Sequence, residues 1–339
     1  MELNLIINNF LPETKINKVS PIGNGLIHQT FLVETSQKSY VLQHINDLVF
    51  QNPEILVRNH LKINEGLSKV NYKFELSNPI KTRDNQLIFV TDNQHWRLTE
   101  YIDNSVTYQK VASPEMAFEA SKALSYFHYC INSDQNISLE ESIPEFTNFE
   151  KRYGDFEKAN QHLIDKRAEN CVNELLFISK YKHLCNLWIE LRSKNMPNRI
   201  IHADPKISNI LFNSEQKPIA IIDLDTVLSG PILYDFGDMA RSFTNRLEED
   251  DISTTDNFDF EIYKAIKEGF LHHSASLLSP LEIEHFNFAA KIIVHIQAMR
   301  FLVDYLRGDI YYGSSYEGQN LVRAKNQINL LKGMMKYDL

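Results

Sequence analysis

The 339-residue chain is 43% hydrophobic and 23% charged, which describes a folded globular protein, and it is longer than one core usually fills. With 44 acidic residues against 35 basic ones its formal net charge is −9, and no dense Lys/Arg cluster gives it the footprint of a nucleic-acid binder. Three cysteines (Cys130, Cys171, Cys185), odd in number and without metal or redox spacing, read as reduced thiols. No basic leader precedes the apolar residues of "MELNLIINNF", and no apolar run approaches membrane-spanning length, so the expectation is a cytoplasmic protein without a membrane partner.

Residues 1 to about 100 read as strands and turns. "GLIHQTFLVET", "KSYVLQHIN" and "QLIFVTD" are rich in β-branched and aromatic residues and are broken by Asn, Asp, Ser and Gly. Between the last two, "NPEILVRNHLKINEGLSKV" fits a helix. From residue 113 the texture changes. "SPEMAFEASKALSYFHYCI" opens with Ser113 as N-cap and Pro114 at the first helical position, and Ala117, Ala120, Leu124, Phe127 and Ile131 trace one apolar stripe. "CVNELLFISKYKHLCNLWIELRSKN" reads as a second long helix. "SPLEIEHFNFAAKIIVHIQAMRFLVDYLRG" reads as a third, with a capping-box start at Ser279 and Glu282 and Gly308 as its stop. The acidic stretch 246–259 reads as a solvated loop. These elements predict an α+β protein with a sheet-rich N-terminal part and a mainly helical C-terminal part.

The stretch 200–230 interrupts the helices. "NRIIH" and "NILFN" are short strand candidates, "SEQKP" a turn, and "IAIIDLD" a strand ending in two carboxylates. Asp204 and Asn209 then lie on a tight loop before one hairpin arm, and Asp223 and Asp225 at the end of the other. Carboxylates and an amide oxygen are hard ligands suited to Mg²⁺ held together with phosphates, while a further carboxylate can accept a proton from a hydroxyl. Phosphoryl transfer needs that division of labour. A lone His-x-Asp is common by chance, and paired acids usually sit on solvated surface. His202-x-Asp204-x₄-Asn209, a hairpin and Asp223 fourteen residues later make a far more specific pattern.

"HADPKISNILF" followed by "IDLDTVLSGPILYDFGDMAR" resembles the aminoglycoside phosphotransferase and choline kinase superfamily, small-molecule kinases with a bilobal protein-kinase-like fold. Within it, "PIGNGLIHQTF", "YVLQHINDLVFQNPEIL", "IDLDTVLSGPILYDFGD", "MRFLVDYLRGDIYY" and "QNLVRAKNQ" resemble the N-acetylhexosamine 1-kinase branch, and the similarity runs from about residue 20 to the end. The resemblance implies a nucleotide-binding lobe over 1–102 and a helical lobe with catalytic loop and substrate site over 103–339. It implies ATP as co-substrate, Mg²⁺, and a small hydroxyl acceptor, an amino sugar first, phosphorylated at its anomeric hydroxyl. Asp204 matches the catalytic aspartate, Asn209 and Asp223 the metal ligands, and Asp225 a further acidic contact. Asp235 and Asp238 match acids that brace the loop, and His202 is read as a structural histidine. Gly23, Asn24 and Gly25 resemble the phosphate-covering turn, although Asn-Gly alone is also the commonest tight-hairpin signal. Glu100 and Ile102 fall where backbone groups would meet adenine. Arg300, Tyr305 and Arg323, with Asp304, Tyr311 and Tyr312 beside them, make either a salt-bridged helix face or a sugar wall.

Two departures stand out. "YVLQ" puts Gln43 where protein kinases and many aminoglycoside kinases keep a lysine on the third strand; the hexosamine-kinase branch it resembles also shows glutamine there, and Arg58 is the candidate replacement cation. "FTN" (146–148) lacks an expected histidine, with Arg152 close by as a surface residue. The alternatives are another acceptor (an aminoglycoside, which the six acids of 246–259 would suit, choline or ethanolamine, or a different sugar) and a non-catalytic nucleotide-binding pseudokinase.

Overall fold

A computed structural model of the chain describes residues 3–23, 27–133, 137–161, 166–194 and 196–337. In chain order its elements are α1 (Leu3–Phe10), β1 (Ile16–Pro21), β2 (Gln29–Thr35), β3 (Ser39–Ile45), α2 (Pro53–Lys69), β4 (Pro79–Ile80), β5 (Phe89–Thr91), β6 (Gln94–Glu100), α3 (Pro114–Ile131), α4 (Phe149–Gln161), α5 (Lys166–Glu169), α6 (Val172–Lys180) and α7 (Lys182–Ser193). They continue with β7 (Asn198–Ile201), β8 (Ile210–Phe212), β9 (Pro218–Ile221), β10 (Leu228–Pro231), α8 (Ile232–Phe243), α9 (Phe260–Ser274), α10 (Pro280–Glu284), α11 (Phe286–Leu306) and α12 (Gln319–Lys336). An antiparallel sheet region followed by a helical region makes this the expected α+β fold.

The chain forms two compact units. The first gathers Met1–Thr107, Tyr129–Pro144 and Asn209–Leu228; the second gathers Tyr108–His128, Glu145–Ser208 and Ser229–Leu339. The first unit is built on an antiparallel sheet in the order β1-β2-β3-β6-β4, with β5 also on β6. Alternation sends Val33, Leu42 and Leu98 to one face, where they and Trp96 pack on Ile6, Ile7, Phe10 and Leu11. Helix α1 is thus a lid on the sheet that the sequence reading did not anticipate. On α2, Leu56 and Val57 join Ile45, Phe50 and Ile88 in a second cluster. The β8–β9 hairpin returns late in the chain to the same unit. The Glu75 N–H donates to the Ile219 carbonyl (2.8 Å), Val106 pairs with Phe212, and Leu211 and Ala220 pack on Ile102.

The second unit is helical, with a two-stranded β7–β10 ribbon. Ser113 caps α3 by accepting the Met116 N–H (3.2 Å), as expected. The second and third long helices are each broken in two. Tyr181 separates α6 from α7, and α10 is a single capping-box turn (Ser279, Glu282) that ends at His285 before α11 begins. Helix α11 is long and apolar enough to cross a membrane by length and composition, contrary to the expectation from the apolar runs. It is largely buried within the protein, as a core helix of a folded unit is. All three cysteines are buried and unbridged, and burial pushes the Cys185 thiol up to about 12.

Candidate active site

In the second unit, β7 runs into a loop whose backbone is gripped by one carboxylate. The His202 and Ala203 N–H groups donate to Asp235 Oδ2 and Oδ1, both at 2.7 Å, and His128 Nε2 lies 2.7 Å from the same Oδ2. Asp235 is fully buried in the first turn of α8, so these charge-assisted bonds are shielded from water. Ala203 is held at φ 65°, a left-handed conformation costing a non-glycine residue roughly 1–2 kcal/mol, and the clamp is what maintains it. The turn delivers Asp204, whose N–H donates to His202 Nδ1 (3.3 Å). His202 is itself completely buried, a bracing histidine. Lys206 Nζ sits 2.9 Å from Asp204 Oδ1. Burial alone would raise the Asp204 carboxyl, but the Lys206 ammonium holds it below its ordinary value, so it is an anion ready to accept a proton. Its side chain remains 23% exposed. Asp238 pairs with Arg241 (2.7 Å).

Farther along the same unit, the Arg300 guanidinium carbon lies 5.7 Å from the Phe146 and Tyr311 ring centres and 5.5 Å from that of Tyr312. Asp304 accepts the N–H groups of Tyr311 (2.8 Å) and Tyr312 (3.0 Å) and so fixes the loop carrying these rings. Tyr305 lies apart from them: it is buried, with the Arg167 guanidinium 5.0 Å from its ring. Arg323 is buried beside Phe301 and donates to Asn320 Oδ1 (3.0 Å).

In the first unit, the hairpin brings Asn209 and Asp223 to adjoining positions, because the Ile222 N–H donates to the Asn209 carbonyl (2.9 Å). Asp223 is exposed and left-handed (φ 61°, ψ 58°), a conformation aspartate tolerates. Asp225, two residues on, is 4% exposed and fully engaged. Arg97 Nη1 and Nη2 hold its two oxygens at 2.5 and 2.6 Å, His28 Nε2 reaches Oδ2 at 2.9 Å, and the Ser142 hydroxyl donates to its carbonyl (2.7 Å). The Asn46 N–H donates to His28 Nδ1 (3.2 Å), which puts the imidazole proton on Nε2 and makes His28 a donor to Asp225. Burial would raise Asp225; the Arg97 charge and then the His28 hydrogen bond outweigh it and push the carboxyl far below the usual range.

Gln43 belongs to the same network. It is the cross-strand neighbour of Arg97, accepts from Arg97 Nε (2.9 Å) and donates to Thr30 Oγ1 (3.2 Å). The cation in this region is therefore Arg97 on β6. Arg58 is tied to Glu140 (2.9 Å) and Glu54 (3.1 Å) instead. Gly23 is exposed with φ 74°; Asn24 and Gly25 lie outside the described residues. The Glu100 N–H already donates to the Asn78 carbonyl (2.9 Å), and its carbonyl accepts the Ser77 hydroxyl (2.6 Å). Ile102, buried on the hairpin, receives the Ser105 hydroxyl at its carbonyl (2.7 Å).

Among the described residues no group of three or more His, Cys, Asp or Glu side chains is arranged to hold a metal. Asn209 and Asp223 offer one amide and one carboxylate oxygen. That incomplete hard-oxygen set suits Mg²⁺, which keeps several of its positions for water and phosphate oxygens. The residues fit the group.

The profile of the phosphotransferase enzyme family matches residues 18–264. The chain belongs to this family. The match takes in Asp204, Asn209 and Asp223 and stops short of Arg300. Solved structures share the phosphotransferase fold at low identity. An aminoglycoside phosphotransferase from Alicyclobacillus acidocaldarius aligns with TM-score 0.61 and 15% identity over 95% of this chain and 92% of the other. The choline kinase of Streptococcus pneumoniae gives 0.58 and 13% over 99% and 100%. A spectinomycin phosphotransferase, in complex with ADP and spectinomycin, gives 0.59 and 15% over 98% of each.

The sequence reading of this phosphotransferase passed over Lys206, Arg97 and His28. Lys206 had a signal, since it stands two residues after Asp204. Arg97 had none, because only the register places it beside Gln43. Arg152, read as a surface residue, is half-buried.

Proposed function

We propose that this phosphotransferase is an ATP-dependent small-molecule kinase acting on the anomeric hydroxyl of an N-acetylhexosamine. The observation that carries the reading is Asp204: an ionised, partly open carboxylate on a strained turn locked by Asp235, with a lysine at its side. Asp204 would accept a hydrogen bond from the acceptor hydroxyl, orient one oxygen lone pair for in-line attack on the γ-phosphorus, and take up the proton as the new P–O bond forms and the bond to the β,γ-bridging oxygen breaks, releasing ADP. Lys206 would draw the phosphoryl oxygens and keep Asp204 ionised. Asn209 and Asp223 would hold Mg²⁺, which when bound neutralises the phosphate oxygens. Ile102 would floor the adenine, and its neighbour Glu100, with both backbone groups engaged, would brace the hinge. The ADP held by the spectinomycin phosphotransferase supports a nucleotide co-substrate.

The acceptor assignment rests on the hexosamine-kinase pattern in the sequence and on the tyrosine-lined Arg300, since sugar rings stack on aromatics and hydroxyls bind guanidinium. The aminoglycoside alternative loses its support in the 246–259 loop. Glu248 pairs with Lys110, Glu249 with Arg241, and Asp256 and Asp259 with Arg246, while Asp250 accepts from Gln319 and Asp251 from the Ser253 N–H. Six acids with partners do not make an acidic pocket for a polycation. Incubation with ATP, Mg²⁺ and a panel of free sugars tests the reading. Phosphate at C1 of an N-acetylhexosamine is expected, and its absence from every such sugar refutes it.

A further inference from the structure

Arg152 and Arg300 are two half-buried guanidiniums in the second unit that stand close together without a counterion. Among the described residues no carboxylate lies within ion-pair distance of either. Arg300 donates to Gln297 Oε1 (3.2 Å), an amide whose nitrogen donates to the Tyr312 hydroxyl (3.1 Å). Arg152 Nε is buried and unpaired. The nearest acids make their close pairs with other cations, Asp238 with Arg241 and Glu145 with Lys151, and act on Arg300 and Arg152 only from beyond ion-pair distance. Burial, and then the positive charge of Arg300, lower the Arg152 guanidinium from its usual value, the mark of a cation facing a like charge.

Arg300 is linked to the Asp204 loop through two rings, and Tyr234 feels the charges of both Arg300 and Asp204. Tyr234 immediately precedes Asp235, which clamps the Asp204 loop, and its ring lies 6.0 Å from that of Phe146, which in turn underlies Arg300. Tyr311 is exposed, and Tyr312 and Phe146 are half-exposed, so the cluster opens to solvent. Cations kept unneutralised beside a catalytic carboxylate favour oxygen-rich ligands and repel ammonium groups.

We propose that Arg152 and Arg300 form a charge filter in the acceptor site, admitting hydroxylated acceptors that are neutral or anionic and turning away those that carry an ammonium. The inference rests on the proposed acceptor site at Asp204, and it gives the N-acetyl group a physical purpose: acylation removes the positive charge of a hexosamine.

The test compares N-acetylglucosamine, glucosamine, glucuronate and choline as acceptors for the intact protein with Mg²⁺ and ATP, at pH 7 and again above the ammonium pKa. Glucosamine and choline are expected to show kcat/KM ~10–100-fold below the best neutral or anionic acceptor at pH 7, from like-charge repulsion in a partly desolvated site. For glucosamine the gap closes as its ammonium deprotonates. Arg152→Met should narrow the gap while Arg152→Lys preserves it, with unchanged thermal midpoints establishing that both variants fold. The inference is overturned by ammonium acceptors used within threefold of neutral ones at pH 7, by an Arg152→Met variant with unchanged selectivity, or by a protein that takes no neutral or anionic acceptor. Turnover of glucuronate without N-acetylglucosamine would defeat the hexosamine reading and leave the filter standing. Equal turnover of glucosamine and N-acetylglucosamine would do the reverse.

Discussion

Replacing Arg97 by methionine isolates the ion pair at the heart of the first unit. The Arg97 and Asp225 side chains are 5% and 3% exposed and meet through two hydrogen bonds at 2.5 and 2.6 Å. Removing the guanidinium leaves a buried carboxylate that keeps, among the described residues, the His28 hydrogen bond alone to its side-chain oxygens, which typically costs about 3–5 kcal/mol. At about 2–4 °C per kcal/mol for a domain of about 150–250 residues, the thermal midpoint should fall by ~6–20 °C. Asp225→Leu in the Arg97→Met background removes the orphaned charge and should recover at least half of that loss. The pH dependence has a definite sign. The carboxyl of Asp225 is depressed in the folded state, so its contribution is complete above the unfolded value of about 3.9 and drains away as the pH falls below it. Wild type and Arg97→Met should therefore converge in stability toward acid. Calorimetry with urea titrations of wild type, both single variants and the double variant, at pH 7 and at a pH well below the unfolded value of about 3.9, measures all of this. A loss under ~1 kcal/mol for Arg97→Met, or single losses that simply add in the double variant, would refute the reasoning.

Asp204→Asn should keep the fold, Mg·ATP binding and acceptor binding while kcat falls ~10²–10⁴-fold, because the amide fills the same space but cannot take the proton; steady-state kinetics with a thermal midpoint would expose a near-normal kcat. His295 is wholly buried in α11 with no partner for either ring nitrogen among the described residues, so His295→Leu should raise stability by about 1–3 kcal/mol in urea titrations. Burial pulls that histidine down to about 3 and His60 to about 4, so each stays neutral in the fold, and stability should drop as the pH falls from about 6.5 toward those values; His295→Leu should flatten part of that limb, and an unchanged slope counts against it. Gly237 lets α8 approach α11: an added methyl would meet the Ala289 carbonyl oxygen at 2.5 Å, so Gly237→Ala should cost about 1–3 kcal/mol in thermal melts, and a neutral result would show that the helices part easily.

What the sequence revealed was local chemistry. Ser113-Pro114 and the Ser279/Glu282 box announced helix starts because capping is written within four residues. The run from His202 to Asp223 announced a phosphotransferase because its spacing is fixed by one loop and one hairpin. Periodicity carried across Tyr181 and His285, where the apolar stripe persists although the backbone hydrogen bonds break, so two helices were read where four stand. Arg97 stayed hidden for a different reason. In "WRLTE" it alternates like any strand residue, and nothing nearby reveals that its counterion comes from the other side of a hairpin. Arg152 looked like a surface arginine because the groups that act on it, Arg300, Tyr311 and Tyr312, come from the far end of the chain, a proximity only tertiary packing creates.

The first unit also sets a schedule for the ribosome. Its sheet is finished by residue 107, yet the carboxylate that neutralises Arg97 is 128 residues further along the chain. At ~5–20 residues per second, the emerging sheet waits on the order of 6–25 s with a guanidinium beneath it and the hairpin strands still unmade. Through that interval the nascent unit is incomplete by construction: its last hydrogen bonds, Glu75 to Ile219 and Val106 to Phe212, also belong to residues not yet translated. Nascent chains stalled before residue 209 should thus be open to protease throughout the sheet, and those stalled with residue 228 clear of the exit tunnel should be closed. The segment that carries Asn209 and Asp223 is the same one that locks the unit, so a chain that has not folded there has not yet brought those two residues together.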